Sequence, residues 1–236
     1  MAASARAEGV QPLTSRQRGR GAARPISGAP GCPGERMRAW IYDNTFRKVT
    51  DSWYATVLGR LAPGSLLLDV GIGTAGALSR SASIVLEKDL HVVGVDIDAD
   101  YLRRARKNVD KAGIADRVRL HQVSIFDFHE RGFDAAYFSA SFMLMPDPAG
   151  VLRHITTLLA PEGRVFFTQT FEEKRSPIVE KVKPLLHRVT TIQFGQVTYE
   201  PEFMATVAAG GHEVVDHVRL SGSRLRSARL VVSKPV

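Results

Sequence analysis

From residue 65 onward, short apolar runs alternate with stretches whose apolar positions recur every three or four residues. The runs "SLLLDV" (65–70), "HVVGVDI" (91–97), "RVRLHQV" (117–123), "FDAAYFSAS" (133–141) and "GRVFFTQTF" (163–171) predict strands. Between them, "AGALSRSASIVLEKD" (75–89), "ADYLRRARKNVDKAG" (99–113) and "PAGVLRHITTLLA" (148–160) predict helices. Alternation of this kind argues a mostly parallel sheet with helices on both faces. The pattern then changes. "EFMATVAAGG" (202–211) predicts a helix, and "HEVVDHVRL" and "ARLVVSKPV" predict two strands joined by only "SGSRLRS". That connection is too short for a helical crossover, so the last two strands are expected to pair antiparallel. Upstream, "ERMRAWIYDNTFRKVTDSWYATVLGRL" spaces Met37, Trp40 and Ile41, then Trp53, Val57 and Leu61, as one apolar face of helical period, in one piece or two, ended by "APG" at 62–64. No internal repeat or second domain is visible.

Composition narrows the class. The chain has 236 residues, 44% apolar and 24% charged, which suits one globular domain with a full core. Charges interrupt every hydrophobic run before the roughly 20 residues of a membrane-spanning helix, so no membrane span and a soluble protein are expected. The single cysteine, Cys32, excludes an internal disulfide and a cysteine-only metal cage. The net charge of +8 is concentrated at the start, where residues 1–38 hold seven arginines against two glutamates. This lysine-free segment is rich in Ala, Ser, Gly and Pro. It resembles an organelle transit peptide, which would place the protein in a plastid or mitochondrion; an ordinary disordered basic tail on a cytoplasmic protein is the alternative, and an RNA-binding arm ranks third. Either way, residues 1–36 are expected to stand apart from a domain at 37–236, because they have too little apolar surface to offset chain entropy.

The candidate chemistry begins at "LLLDVGIGTAGAL" (66–78). A strand ending at Val70 and a helix starting near Ala75 would put the amides of "GIGTAG" at a helix N-terminus, where glycine lets a ligand approach the backbone. Gly71, Gly73 and Gly76 satisfy GxGxxG, and Asp96 follows twenty residues after Gly76, the spacing of a ribose-binding carboxylate. The glycines alone admit either a dinucleotide or S-adenosylmethionine. Three features favour the second. Asp69, two residues before the first glycine, would lie badly beside a pyrophosphate and well beside a cationic amino group and sulfonium. None of Tyr42, Tyr54, Tyr101, Tyr137 or Tyr199 precedes a lysine by four residues, as the catalytic pair of a compact dehydrogenase would. An antiparallel final pair is also not how dinucleotide folds close.

From about Tyr42 to the C-terminus, these residues resemble the class I S-adenosylmethionine-dependent methyltransferases of the small-molecule type. The resemblance rests on "LDVGIGTAGAL", the second-strand acid in "VVGVDID", "FDAAYF" and "LLAPEGRVFFTQ", in that order. It implies a single-domain α/β Rossmann-like fold with a seven-stranded, mostly parallel sheet, an antiparallel C-terminal strand pair and helices on both faces. It also implies S-adenosyl-L-methionine as cofactor. Asp69 and the amides around Gly71 and Gly73 would hold its methionine part, Asp96 both ribose hydroxyls, and Ile97 would flank the adenine. The family's third-strand acid falls on Ser124 in "VSIFDF", so Ser124, Ile125 and Asp127 are the candidates around the adenine amino group; Asp127 also suits a turn cap. Ser139 would line the site from the fourth strand. Tyr42, with Asp43, occupies the place of a lid, which Trp53 and Tyr54 would extend. The family's third glycine is replaced here by Ala75, with Gly76 next door as a compensating position.

Methyl transfer from a sulfonium is an in-line displacement, so positioning and water exclusion are the main requirements and no catalytic residue is assigned. The acceptor is expected beyond the strand C-termini, between "SASFMLMPDP" and "TQTFEE". Ser139, Ser141, Phe142, Met143 and Met145 make the first of these loops apolar with small polar handles, which fits a small organic acceptor methylated on O, N or C; the methionines also read as core filler. Neither the acid-Pro-Pro-aromatic tetrapeptide of exocyclic-nitrogen methylation nor a domain cysteine for cytosine chemistry is present. The seven histidines lack zinc-ligand spacing and Asp147 stands alone, so a metal-independent enzyme is expected. An RNA- or protein-directed methyltransferase is the first alternative and an NAD-binding oxidoreductase the second. The sequence says nothing of oligomeric state.

Overall fold

The computed structural model describes residues 48–173 and 198–236, all within one unit, Ile41–Val236. Tyr42, the basic segment and most of "KRSPIVEKVKPLLHRVTTIQFGQVTY" therefore lie outside the described residues. The first helix, α1, is described over residues 48–60. It leads into β1 (Leu66–Val70), α2 (Gly76–Arg80), α3 (Ala82–Glu87), β2 (His91–Asp96), α4 (Ala99–Lys111), β3 (Val118–Gln122) and β4 (Phe133–Ser139). Then follow α5 (Pro148–Leu158), β5 (Leu159–Glu172), α6 (Glu200–Ala209), β6 (His212–Gly222) and β7 (Arg226–Pro235).

The strands form one seven-stranded sheet in the order β3-β2-β1-β4-β5-β7-β6. Neighbours from β3 to β5 pair in parallel, as expected of strands linked by helical crossovers. β7 runs antiparallel to both β5 and β6, so the closing pair is antiparallel as its short connection requires. The order carries one finding that periodicity does not show: the later strand is the inner one, and β6 forms the edge.

Alternate residues of each strand face opposite layers. Leu67, Val92, Ala135, Tyr137, Leu230 and Val232 pack under α1 to α4, against Val57, Leu58, Leu78, Leu102 and Ala105. On the other face, Leu68, Val93, Ala136, Phe138, Phe167 and Val231 meet Val151, Leu152 and Ile155 of α5 and Phe203 of α6. Phe203 sits edge-on to Phe142, Phe167 and Phe171 with ring centroids 5.3–5.6 Å apart, an arrangement aromatic quadrupoles favour. Buried His212 ties the edge strand to α5, its ring 2.9 Å from the Thr156 hydroxyl and 3.0 Å from that of Ser233; burial lowers its pKa.

Two predicted elements differ. The helix expected over 75–89 breaks at Ser81, giving α2 and α3, within a serine-rich run whose hydroxyls compete for backbone partners. β5 begins at Leu159 instead of Gly163, because Leu159 pairs with Phe133 across a register irregularity.

α1 is held to the sheet layer by polar contacts at both ends. Asp51 accepts from the Arg80 guanidinium, through Nε at 2.7–2.8 Å and through Nη2. At the other end, the Lys88 ammonium donates to the carbonyls of Leu58, Gly59 and Leu61 at 3.2, 2.6 and 2.5 Å. A cation on the last carbonyls of a helix satisfies orphan acceptors and opposes the negative end of its dipole.

Candidate active site

β1 and β4 are neighbours whose following helices lie on opposite faces of the sheet, the topological switch point where open α/β sheets bind ligands beyond their strand C-termini. The glycine turn grows out of β1 there. Gly71 takes φ +74°, and its N–H donates to the Val95 carbonyl at 2.8 Å, folding the turn back onto the end of β2. A Cβ on Gly71 would lie 2.9 Å from Cβ of Ser141, whose hydroxyl donates to the Val70 carbonyl at 2.6 Å. Both the backbone angle and the close approach of the loop after β4 therefore require glycine.

Gly73 N–H donates to Asp96 Oδ2 at 2.8 Å, while Asp96 Oδ1 accepts from Asp98 N–H at 2.9 Å. Asp98 in turn caps α4 by accepting from the amides of Asp100 and Tyr101, and Asn108 of α4 donates to the Thr74 carbonyl at 2.9 Å. The second-strand carboxylate is thus rigidly placed and half-buried, with lone pairs left for further donors. Two expectations change here. The amides of Gly71 and Gly73 are used inside the turn, so these residues shape the cradle and do not present those N–H groups to a ligand. Gly76 does not compensate for the missing third glycine either. Ala75 itself takes the left-handed conformation, φ 51° and ψ 22°, at a cost of about 1–2 kcal/mol.

Asp69 is completely buried. Its Oδ2 accepts from Tyr54 Oη of α1 at 2.8 Å, and Oδ1 has no hydrogen-bond partner among the described residues. Burial raises its pKa to about 7; the Tyr54 bond works against that rise and the Asp96 charge adds to it. Burial and the neighbouring carboxylate likewise push the Tyr54 hydroxyl up. Asp69 therefore lies beneath the turn, and its charge reaches a ligand as a field through a low-dielectric layer and not as an exposed contact. Tyr54, expected to extend a lid, is instead 4% exposed and stacked edge-on against Tyr137, with ring centroids 5.0 Å apart. Trp53 is buried as well.

The remaining candidates gather around the same edge with different degrees of access. Ile97 is 75% exposed just beyond β2, free to cover a flat ring. Ser124 caps the short 3-10 turn Ile125–Asp127, its hydroxyl accepting from Phe126 N–H at 3.4 Å, so the capping role considered for Asp127 belongs to Ser124. Asp127 is exposed, and the Ile125 side chain is buried in the core under β2. Ser139 is half-buried at the end of β4, beside a buried pair in which the hydroxyls of Tyr137 and Thr168 lie 2.8 Å apart. Met143 and Met145 pack on the core, with Leu144 exposed between them. Asp147 is the N-cap of α5, accepting from Gly150 N–H at 2.9 Å. Two cavities of about 330 and 400 Å³, around Arg60 and Arg164 and around His91 and Arg117, lie at the opposite, N-terminal ends of the strands.

Sequence reasoning missed the Tyr54–Asp69 bond. The only signal for it was a tyrosine on the apolar face of α1, a position that by spacing alone reads as packing.

A half-buried carboxylate fixed at the end of β2, a buried carboxylate with one unpartnered oxygen under the left-handed turn and a Gly71 with no room for a Cβ form a Rossmann-like cradle at the switch point of the sheet. The residues fit S-adenosylmethionine in particular: the orphan Oδ1 of Asp69 calls for positive charge, and a diphosphate would meet two carboxylates instead. The chain belongs to the methyltransferase domain family, whose pattern matches residues 61–211. It is 26% identical over 155 residues to phosphatidylethanolamine N-methyltransferase of Cereibacter sphaeroides, covering 64% of this chain and 74% of that one. Over 112 residues it is 30% identical to ubiquinone biosynthesis O-methyltransferase of Actinobacillus pleuropneumoniae, 44% of this chain but only 45% of that protein. The fold is shared with geranyl diphosphate methyltransferase solved in complex with SAM, at TM-score 0.63 and 16% identity, covering 89% of this chain and 93% of that one. Among the described residues no helix is long and apolar enough to cross a membrane.

Proposed function

We infer that this chain transfers a methyl group from S-adenosylmethionine to a small organic acceptor, at oxygen, nitrogen or carbon. The observation that carries the reading is the pair of carboxylates, Asp69 and Asp96, held on either side of one glycine turn at the switch point of the sheet. When bound, the cofactor supplies an activated methyl on a sulfonium, whose bond to sulfur breaks as the bond to the acceptor forms. The protein's share is placement. Asp96 holds the ribose hydroxyls, Ile97 covers the adenine, and Asp69 supplies the negative field beneath the positively charged end. Ser139 and the apolar loop at 141–145 border the acceptor space and exclude water, which contributes by alignment and by keeping the charge undiluted. The named relatives are a phosphatidylethanolamine N-methyltransferase and a ubiquinone biosynthesis O-methyltransferase, and the apolar loop with two half-buried methionines and an exposed Leu144 supports an acceptor with an apolar part.

The test is direct. The purified protein is incubated with methyl-labelled donor and a panel containing a quinone-ring phenol, phosphatidylethanolamine and a short-chain amine, and labelled products are identified by mass. Label is expected in one acceptor class. No thermal shift with S-adenosylhomocysteine, together with a shift by NADH, would overturn the reading.

A further inference from the structure

Asp69 is a buried acid with no cation beside it among the described residues. The titratable groups that face it are Tyr54 from α1, Tyr137 from the adjacent β4 and Asp96 from β2, all neutral or negative. Its one hydrogen bond comes from Tyr54, and its second oxygen has no partner among the described residues. A carboxylate in that position is costly, because desolvation penalises the charge and, among the described residues, only the Tyr54 hydrogen bond offsets it. The inexpensive state without a ligand is the neutral acid, with the proton on Oδ1 and Tyr54 still donating to Oδ2. A sulfonium or ammonium arriving above the turn reverses the preference.

We propose that Tyr54 is a positioning residue that keeps Asp69 oriented and ionisable beneath the glycine turn, so that donor binding is coupled to release of the Asp69 proton to solvent. The proposal rests on the donor assignment made above and extends it: α1, through one hydroxyl, sets how strongly the site responds to positive charge. The proton leaves Oδ1, the carboxylate remains bonded to Tyr54, and the charge balance of the pocket is restored by the ligand itself. The raised pKa of Asp69, about 7, places the exchange near neutral pH.

Linkage gives the sign. Binding a cation favours the form that has lost the proton, so affinity rises with pH until Asp69 is ionised without help, with about a tenfold gain expected between pH 6 and pH 8. The ligand series separates charge from shape: S-adenosylmethionine carries two positive groups, S-adenosylhomocysteine one, and methylthioadenosine none. The pH slope is expected to fall in that order. Titration calorimetry in two buffers of different ionisation enthalpy counts the proton directly, and up to about half a proton is expected to be released per donor bound at pH 7.

Tyr54→Phe keeps the ring that stacks on Tyr137 and removes only the hydroxyl. Losing a bond to the charged form makes ionisation harder, so donor affinity at pH 7 should fall by roughly tenfold and the pH midpoint should move up. At pH 9 the gap to the wild type should close, which a merely structural defect would not do. Asp69→Asn, isosteric and without a titrating proton, should bind donor weakly and with no pH slope. Donor binding by the wild type with no proton released, or a Tyr54→Phe deficit equal at pH 7 and pH 9, would overturn the proposal while leaving the donor assignment intact. Absence of donor binding at every pH would instead remove the assignment on which it rests. Should Tyr54→Phe fail to fold, the wild-type proton count decides alone.

Discussion

Asp96 is asked to do two things at once, and replacing it with alanine tests both. In the folded chain its carboxylate accepts from Gly73 N–H at 2.8 Å and from Asp98 N–H at 2.9 Å. Hydrogen bonds to a charged acceptor contribute about 1.5–3 kcal/mol each, and partial exposure here argues for the lower end. Asp96→Ala should therefore destabilise the unliganded protein by about 2–3 kcal/mol, a cost that inspection of the sequence, which treats Asp96 as a ligand group only, does not foresee. On the proposed reading two more bonds would go to the ribose, so donor affinity should drop by a further ~3 kcal/mol or more, at least about a hundredfold. Asp96→Asn keeps one carbonyl oxygen for one of the two amides and should lose about half as much stability. Urea unfolding followed by tryptophan fluorescence measures the first effect and titration calorimetry with S-adenosylhomocysteine the second. An Asp96→Ala protein with an unchanged urea midpoint and affinity within threefold of the wild type would refute the reasoning. Lower stability with intact affinity would leave the buttressing role and remove the ribose role.

Asp69 destabilises the unliganded fold as pH rises: its folded pKa of about 7 exceeds the ordinary carboxylate value, so its stability contribution is complete below about pH 4 and is lost on the way to pH 7. Asp69→Asn should therefore raise the unfolding free energy at pH 8 by on the order of 3 kcal/mol while changing little at pH 4, as read from denaturation at both pH values. Lys88→Met removes the ammonium from three carbonyls at the end of α1 and should cost about 1–2 kcal/mol in a denaturant titration, with α1 amides exchanging hydrogen faster than those of α4. Gly71→Ala combines a left-handed backbone with a 2.9 Å clash against Ser141 and should lose roughly 3 kcal/mol, with donor binding abolished in a thermal-shift assay. The leader reading of residues 1–36 is checked by fusing them to a fluorescent protein, with organelle targeting expected and a diffuse cytoplasmic signal counting against it.

Much of the architecture was legible because it is written in local periods. The runs around Leu68, Val93 and Phe138 are apolar on both faces, and strands covered on both sides must be. The antiparallel close followed from the length of "SGSRLRS" alone. What periodicity cannot report is which neighbour a strand takes, so the inner place of β7 was invisible. The same limit applies at the site. Asp96 stood out by its interval from the glycines, but its grip on Gly73 depends on a turn whose shape is fixed by Val95 and Asn108 from other elements. Asp69 was singled out by position, yet its depth and its tyrosine partner come from the docking of α1, fifteen residues earlier in the chain. Ala75 shows the converse: a departure from the expected glycine in the sequence is absorbed with no change in backbone handedness, because the strain is small beside the packing around it.

The inner position of β7 also governs the order in which a nascent chain can mature. When β6 emerges from the ribosome, the strand it pairs with among the described residues, Arg226–Pro235, is still to be synthesised, and β5 lacks its β7 neighbour for the same interval. The sheet is finished by threading the last-made strand between two earlier ones, so a chaperone that shields the β5 edge, or a slow stretch of codons before Arg226, would act on yield without touching a single residue of the finished enzyme.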